Sequence, residues 1–234
     1  MISDIIVKIL YFIDKNIHQK NIEKKLIKLN KNYENLLDIG SHQGDYTYML
    51  KKIYKKSSIH CFEPQKELIK KAKIRNRKLE NIYYYNLGLD KVNGVKKIKI
   101  ASGSNYISTF SKIRKNSQYV KIRDYLINTY SNYKFSKIHM KKLDDIKKLK
   151  KIKFDLMKID VEGFELNVLQ GAARTLKNIE CIIIEFHNNN MYLEYSNKKI
   201  HKLLVQKGYS LKSKIKFPLL KWEDRIYLKE KNYK

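Results

Sequence analysis

Twelve residues, LLDIGSHQGDYT from Leu36 to Thr47, restrict the fold more than any other stretch of the chain. A short apolar run ends in a tight turn framed by Gly40 and Gly44, and a helical pattern begins at once. That order of strand, glycine turn and helix is how an open parallel sheet builds a pocket at its carboxyl edge. The spacing D-x-G-x-x-x-G lacks the middle glycine of the dinucleotide fingerprint, whose missing side chain admits a pyrophosphate. Ser41, His42 and Gln43 stand there instead, and no Lys-Ser/Thr pair follows Gly44 to make a phosphate-cradling loop. The turn suits a ligand without phosphates, and it is equally compatible with an ordinary tight strand-to-helix connection.

Downstream residues supply the rest of a pocket. SSIHCFEP reads as a second strand, Ser58 to Phe62, stopped by Pro64, with Glu63 at its carboxyl end. An acid about 20 residues beyond the glycine turn accepts the hydroxyls of a ribose; its alternative role is to cap the helix beginning at Pro64. S-adenosylmethionine, cationic at one end and hydroxylated at the other, fits these features. The helical pattern from Gln65 to Leu79 precedes a third strand, NIYYYNLGLD, whose exit offers Asn86, Leu87 and Gly88 as adenine neighbours. Asn93-Gly94 reads as a hairpin turn into the alternating strand VKKIKI. From Ala101 to Met140 no apolar period persists, and this segment is expected to be a substrate-facing insertion or a surface elaboration.

FDLMKIDVEGFELNVLQGAARTL follows, with a central strand at Phe154 to Ile159, an exit loop at Asp160 to Gly163 and a helix from Phe164 to Leu176. Lys158, Asp160 and Glu162 share one parity. A lysine inside a central strand is costly unless paired, so this is either a structural ion pair or the floor of a reaction site. CIIIEFHNN gives a fifth strand, Cys181 to Phe186, with Glu185 and His187 on one face at its end. Asp160, Glu162, Glu185 and His187 should therefore converge at the carboxyl edge. His187 is the side chain suited to exchange a proton near neutrality, or else a hydrogen-bonded structural residue. A helix at Asn197 to Lys207, stopped by Gly208, and two closing strands, Tyr209 to Lys214 and Arg225 to Lys229, complete the pattern.

A chain of 234 residues suits one α/β domain, preceded here by a helical segment, residues 1–32, packed on it. The segment's apolar period is amphipathic, fitting either the core or a membrane surface. Its apolar runs are too short for a signal core or a membrane span, so a cytoplasmic location is expected. The formal charge of +28 favours polyanionic partners such as nucleic acid, although scattered Lys with abundant Asn, Ile and Tyr is also what A/T-rich codons supply. Cys61 and Cys181 lie in apolar runs and read as buried free thiols; they offer no metal spacing, and no metal is expected.

Taken in order, LLDIGSHQGDYT, CFEP, LGLDKVNG, KKLDDI, LMKIDVEGFELNVLQGA and IIIEFH resemble the FkbM family of S-adenosylmethionine-dependent methyltransferases, over Leu36 to His187. The resemblance implies a class I methyltransferase fold, a Rossmann-like α/β sheet of seven mostly parallel strands with helices on both faces, over residues 33–234. It places Asp38, Gly40, Ser41 and Gly44 around the methionine end of the cofactor, Glu63 on its ribose, and Asn86 and Leu87 toward its adenine. Asp160 then touches both cofactor and reaction centre, with Glu162, Glu185 and His187. Ser41 and His42 depart from the small residue and Asn common in the family. Substrate preference does not carry over with the resemblance; the chemistry expected on mechanistic grounds is O-methylation of a sugar or related small-molecule or glycan hydroxyl, with Asp160 or His187 as base and Glu162 and Glu185 orienting. An RNA or cap methyltransferase, suggested by the net charge and 18 tyrosines, and a catalytically silent binding module are the alternatives.

Overall fold

The computed structural model of the protein describes residues 2–101, 108–127 and 133–230. The N-terminal period forms α1 (Ile2–Ile13), a π-helical turn (Asp14–His18) and α2 (Gln19–Lys28). Ile22 and Leu26 of α2 pack in one buried cluster with Leu36 and Leu50. His18 is fully buried and bonds Asp224 at 2.8 Å, with Trp222 edge-on at 4.7 Å. A polar contact at the end of the chain thus fixes where its beginning sits.

The core strands are β1 (Asn35–Ile39), β2 (Ser58–Phe62) and β3 (Ile82–Tyr85), followed by the short β4 (Gly88–Leu89), β5 (Gly94–Ala101), β6 (Ser108–Thr109) and β7 (Tyr133–Lys141). Then come β8 (Leu156–Ile159), β9 (Cys181–His187), β10 (Tyr209–Lys216) and β11 (Trp222–Lys229). Helices α3 (Asp45–Ile53), α4 (Lys66–Arg75), α5 (Gln118–Ile127), α6 (Glu165–Gly171) and α7 (Asn197–Gln206) connect them. Seven strands form the main sheet in the order β3-β2-β1-β8-β9-β11-β10. All neighbours from β3 to β9 are parallel, and β11 runs antiparallel to both of its partners. This is the α/β architecture the sequence implies. Strand order reverses between β1 and β8, so the crevice for a ligand opens above those two strands. Every residue of β8 and β9 is buried, which is why both read as near-continuous apolar runs.

Two local expectations give way. Asn93-Gly94 does not turn a hairpin: β5 pairs along its whole length with β7, from Gly94 opposite Met140 to Ala101 opposite Tyr133, in a second sheet ordered β4-β7-β5-β6. The Asn93 side chain bridges loops instead, donating to Asp145 Oδ2 and accepting from the Lys142 amide, both at 2.8 Å. The segment from Ala101 to Met140 is likewise more regular than its composition suggests, holding β6, α5 and most of β7; residues 102–107 and 128–132 of it lie outside the described residues. In β5, which pairs with this segment, one face is solvated, leaving Val95 exposed while Ile98 is buried. Cys61 and Cys181 are free and buried. Among the described residues no helix is long and apolar enough to cross a membrane.

Candidate active site

The turn after β1 is shaped by a contact across the switch point. Gly40 has φ +79°, and a Cβ built on it would stand 1.7 Å from the carbonyl oxygen of Asp160, so only glycine lets the β1 and β8 exits approach this closely. Gly44, with φ +81°, is the residue before α3, and the helix starts at Asp45 rather than being capped by it; Asp45 instead pairs with Arg75. These loops, with residues of α1 and α5, enclose a cavity of about 380 Å³. Gly40, Ser41, Glu63, Leu87, Asp160, Glu162, Glu185 and His187 all line it.

Three residues expected on the cofactor do not line this cavity. Asp38 is fully buried beneath the floor, where its Oδ2 accepts from Thr47 Oγ1 at 2.6 Å and its Oδ1 lies 3.9 Å from Lys158 Nζ. Gly44 packs against Asn76. Asn86 donates to the carbonyls of Glu63 and Pro64 at 3.1 and 2.8 Å, so it holds the β2 exit in place. The resemblance puts Asp38 and Gly44, and the β3 exit puts Asn86, close to the crevice, but not on the side that faces it.

Glu63 lines the cavity and ties the start of α4 to the glycine turn. One carboxylate oxygen accepts the Gln65 amide at 2.8 Å, at the start of α4, and the other accepts the His42 amide at 3.2 Å in the glycine turn. Burial raises its pKa to about 7 against those two hydrogen bonds. Ser41 Oγ is buried without a hydrogen-bond partner on the same side of the cavity. Apolar Phe62, Pro64 and Leu87 line the pocket beside this acid. An acid, an unsatisfied hydroxyl and an apolar slot fit a nucleoside cofactor without phosphates.

Lys158 anchors the opposite wall. It is 1 % exposed, donates to Asp160 Oδ2 at 3.1 Å and sits 4.2 Å from the centre of the Tyr46 ring. Burial disfavours its charge, but Asp160 and Asp38 outweigh burial and raise its pKa. Burial likewise raises the Asp160 carboxyl, yet Lys158 more than compensates and holds it below the ordinary carboxylate range. The expected ion pair forms with Asp160 and, in place of Glu162, with Asp38 of β1.

Register explains the remaining groups. Ile159 pairs with Ile184, so the next residues, Asp160 and Glu185, emerge side by side from β8 and β9. His187 Nε2 lies 3.0 Å from Glu185 Oε2 and 3.8 Å from Glu165 Oε1. Burial lowers its pKa, but those carboxylates prevail and raise it well above the ordinary value. Burial, reinforced by Asp160, raises Glu185 well above the usual range, and burial raises Glu162 against the nearby His187. Glu162 has φ +52° and precedes Gly163 at +89°, a left-handed pair pinned when Thr109 Oγ1 donates to the Glu162 carbonyl and Ser111 Oγ to that of Gly163.

Sequence reading missed Glu165 and Tyr192. Glu165 is fully buried, and its Oε1 accepts the Val161 and Gly163 amides at 3.3 and 3.1 Å, which shapes the loop carrying Glu162. An acid in the first turn of α6 was the available signal. Tyr192 donates to Glu162 Oε2 at 2.5 Å and packs its ring where a Cβ of Gly163 would lie. It comes from the irregular segment after β9, where no pattern marks it.

A family model described as the methyltransferase FkbM domain matches residues 38–211. No curated protein matches the sequence. Among solved structures, magnesium protoporphyrin IX methyltransferase from Synechocystis PCC 6803, with S-adenosylmethionine bound, superposes with a TM-score of 0.53 at 10% identity, over 94% of this chain and 84% of that one. The N-methyltransferase NodS from Bradyrhizobium japonicum WM9 gives 0.50 at 11% identity, over 93% and 99%. A candidate RNA methyltransferase from Pyrococcus horikoshii gives 0.50 at 9%, over 90% and 82%. At such identities the likeness extends to the fold alone.

Proposed function

The chain belongs to the FkbM methyltransferase-domain family, and from that premise we propose that it methylates a hydroxyl of a sugar or related small acceptor, using S-adenosylmethionine. The cofactor, when bound, supplies a methyl group on a sulfonium, which is a good leaving group. Glu63 would hold its ribose, Ser41 and the Gly40 turn its amino-acid end, and Leu87 its base. What remains for this chain is to orient the acceptor and to take its proton.

The observation carrying this reading is Asp160: ionised by Lys158, at the switch point, between the Glu63 side of the cavity and the Glu162, Glu185 and His187 wall. Asp160 is assigned as proton acceptor. His187, set between carboxylates, serves with Glu162 and Glu185 to position the acceptor. A neutral hydroxyl compound suits a cavity lined by carboxylates better than a phosphodiester does.

The test is a screen with a labelled methyl donor against sugars, glycans and nucleic acids, alongside Asp160→Asn. Turnover of the variant on the responding acceptor should fall about 10²- to 10⁴-fold, while calorimetry finds S-adenosylmethionine binding within a few-fold of wild type. Full turnover by Asp160→Asn removes the assignment. Transfer only to nucleic acid removes the substrate class.

A further inference from the structure

Glu162, Glu185 and His187 are spread over 26 residues of sequence in a spacing that suggests no metal site, yet one ligand atom from each lies within 4.8 Å of the others. Glu185 and His187 are 7 % and 6 % exposed. Glu185 Oε2 and His187 Nε2 are 3.0 Å apart but not aligned for a hydrogen bond, and neither atom has a hydrogen-bond partner. Both residues line the cavity with Glu162. Two unsatisfied donor atoms thus lie side by side, buried in the wall of the cavity.

Charge points the same way. Among the described residues, Asp160, Glu162, Glu165 and Glu185 share this wall with one buried lysine, Lys158, and with His187, which binds a metal as the neutral ring. An uncompensated buried carboxylate is costly, and a bound cation relieves that cost. Cis ligands about 2.1 Å from an octahedral ion stand about 3 Å apart, the spacing found between Glu185 Oε2 and His187 Nε2. Tyr192 and the left-handed turn hold the third donor, Glu162, toward them.

We propose that Glu162, Glu185 and His187 are the protein ligands of a divalent cation, Mg²⁺ or Mn²⁺, whose remaining positions face the cavity and take an oxygen of the acceptor. Two carboxylates and one imidazole match hard to borderline ions and are too few oxygens for Ca²⁺. The inference rests on the methyltransferase reading and deepens it. Asp160, stabilised as an anion by Lys158, is a weak base toward a free hydroxyl. A hydroxyl bound to a divalent cation is far more acidic. Its proton then passes to the Asp160 carboxylate, its oxygen forms the bond to the methyl carbon, and the electron pair of the broken C–S bond stays on sulfur. The cation's share is to fix the acceptor oxygen and to acidify it.

The experiment titrates chelator-treated, desalted protein with Mn²⁺, reading free ion by electron paramagnetic resonance and heat by calorimetry. One saturable site per chain is expected, weakened about tenfold or more in Glu185→Gln and in Glu162→Gln, with thermal melts showing that each variant folds. Mn²⁺ should raise the melting temperature of wild type but not of the variants. No saturable binding up to millimolar Mn²⁺, or binding by folded Glu185→Gln equal to wild type, overturns the site. S-adenosylmethionine binding is measured separately by calorimetry without metal. If it persists while Mn²⁺ fails, the metal site is wrong and the methyltransferase reading stands; if it fails while Mn²⁺ binds at these residues, the reading falls and the site remains.

Discussion

The cavity and the exterior of this protein carry opposite charge. Lys and Arg number 51 against 23 Asp and Glu in the whole chain, yet six carboxylates line the cavity beside only two of those cations, Arg123 and Lys158. The exterior field decays over about 8 Å at physiological salt, whereas charges in the enclosed site are screened much less. Net charge therefore describes what collects around the molecule, and the cavity describes what enters it. An RNA strand is attracted to the outside, but its phosphates meet Asp160, Glu162 and Glu185 at the reaction wall. A neutral polyol or a cation meets no such penalty.

Four measurements sharpen or break this contrast. The largest effect is expected from Lys158→Met, which leaves buried Asp38 and half-buried Asp160 without their cation; urea unfolding should show a loss of about 3–5 kcal/mol. A loss under about 1 kcal/mol would mean that the interior tolerates its carboxylates unaided. Next is Glu63→Gln, which should weaken S-adenosylmethionine binding roughly tenfold. Because burial places the Glu63 pKa at about 7, the wild-type affinity should decline as pH falls through 7 and the carboxylate that accepts ribose hydroxyls is lost. Glu63→Gln should show no such decline.

A smaller effect tests the same rule on a cation. His60 is buried, stacked on Tyr83 at 4.8 Å and bonded to the Tyr85 hydroxyl at 2.9 Å, and burial lowers its pKa to about 4. Between about pH 6.5 and 4 the unfolded chain binds a proton that the native state refuses, so this contribution to stability is present above that window and lost as pH falls through it. The melting temperature of wild type should fall more steeply over that range than that of His60→Phe; equal slopes would show that the buried ring takes up its proton freely. The smallest effect belongs to exposed lysines. Replacing Lys66, Lys70 and Lys71 of α4 by Gln should change stability by less than about 0.5 kcal/mol each and leave cofactor affinity unaltered, while lowering salt-sensitive retention of short RNA on a filter. A large loss of methyl transfer in this triple variant would tie the exterior charge to the reaction after all.

The sequence made the main sheet and the reaction wall legible for a physical reason. Buried parallel strands are apolar throughout, so a charged residue at such a strand's end, like Asp160 or Glu185, stands out and lies at the carboxyl edge by topology. Lys158 was readable in part: its burial demands partners, and parity gave Asp160, but the second partner is Asp38 of the neighbouring strand rather than Glu162. Asn93-Gly94 misled because a local turn signal competed with a β5–β7 pairing whose partner strand lies about 40 residues away and leaves no local mark. The His18–Asp224 contact, 206 residues apart in the chain, and the Tyr192–Glu162 bond are set by packing alone. Asp38, Gly44 and Asn86 were placed at the right loops, but which side of a loop meets the crevice depends on what packs behind it.

The contact of Gly40 with the Asp160 carbonyl has a further consequence. With 1.7 Å left where a methyl would stand, the loop at the cofactor end and the loop at the reaction wall cannot move independently. If Asp160 is the proton acceptor proposed above, its distance from the bound donor is then set by backbone, and acceptors are expected to be sorted by whether their nucleophile spans that gap.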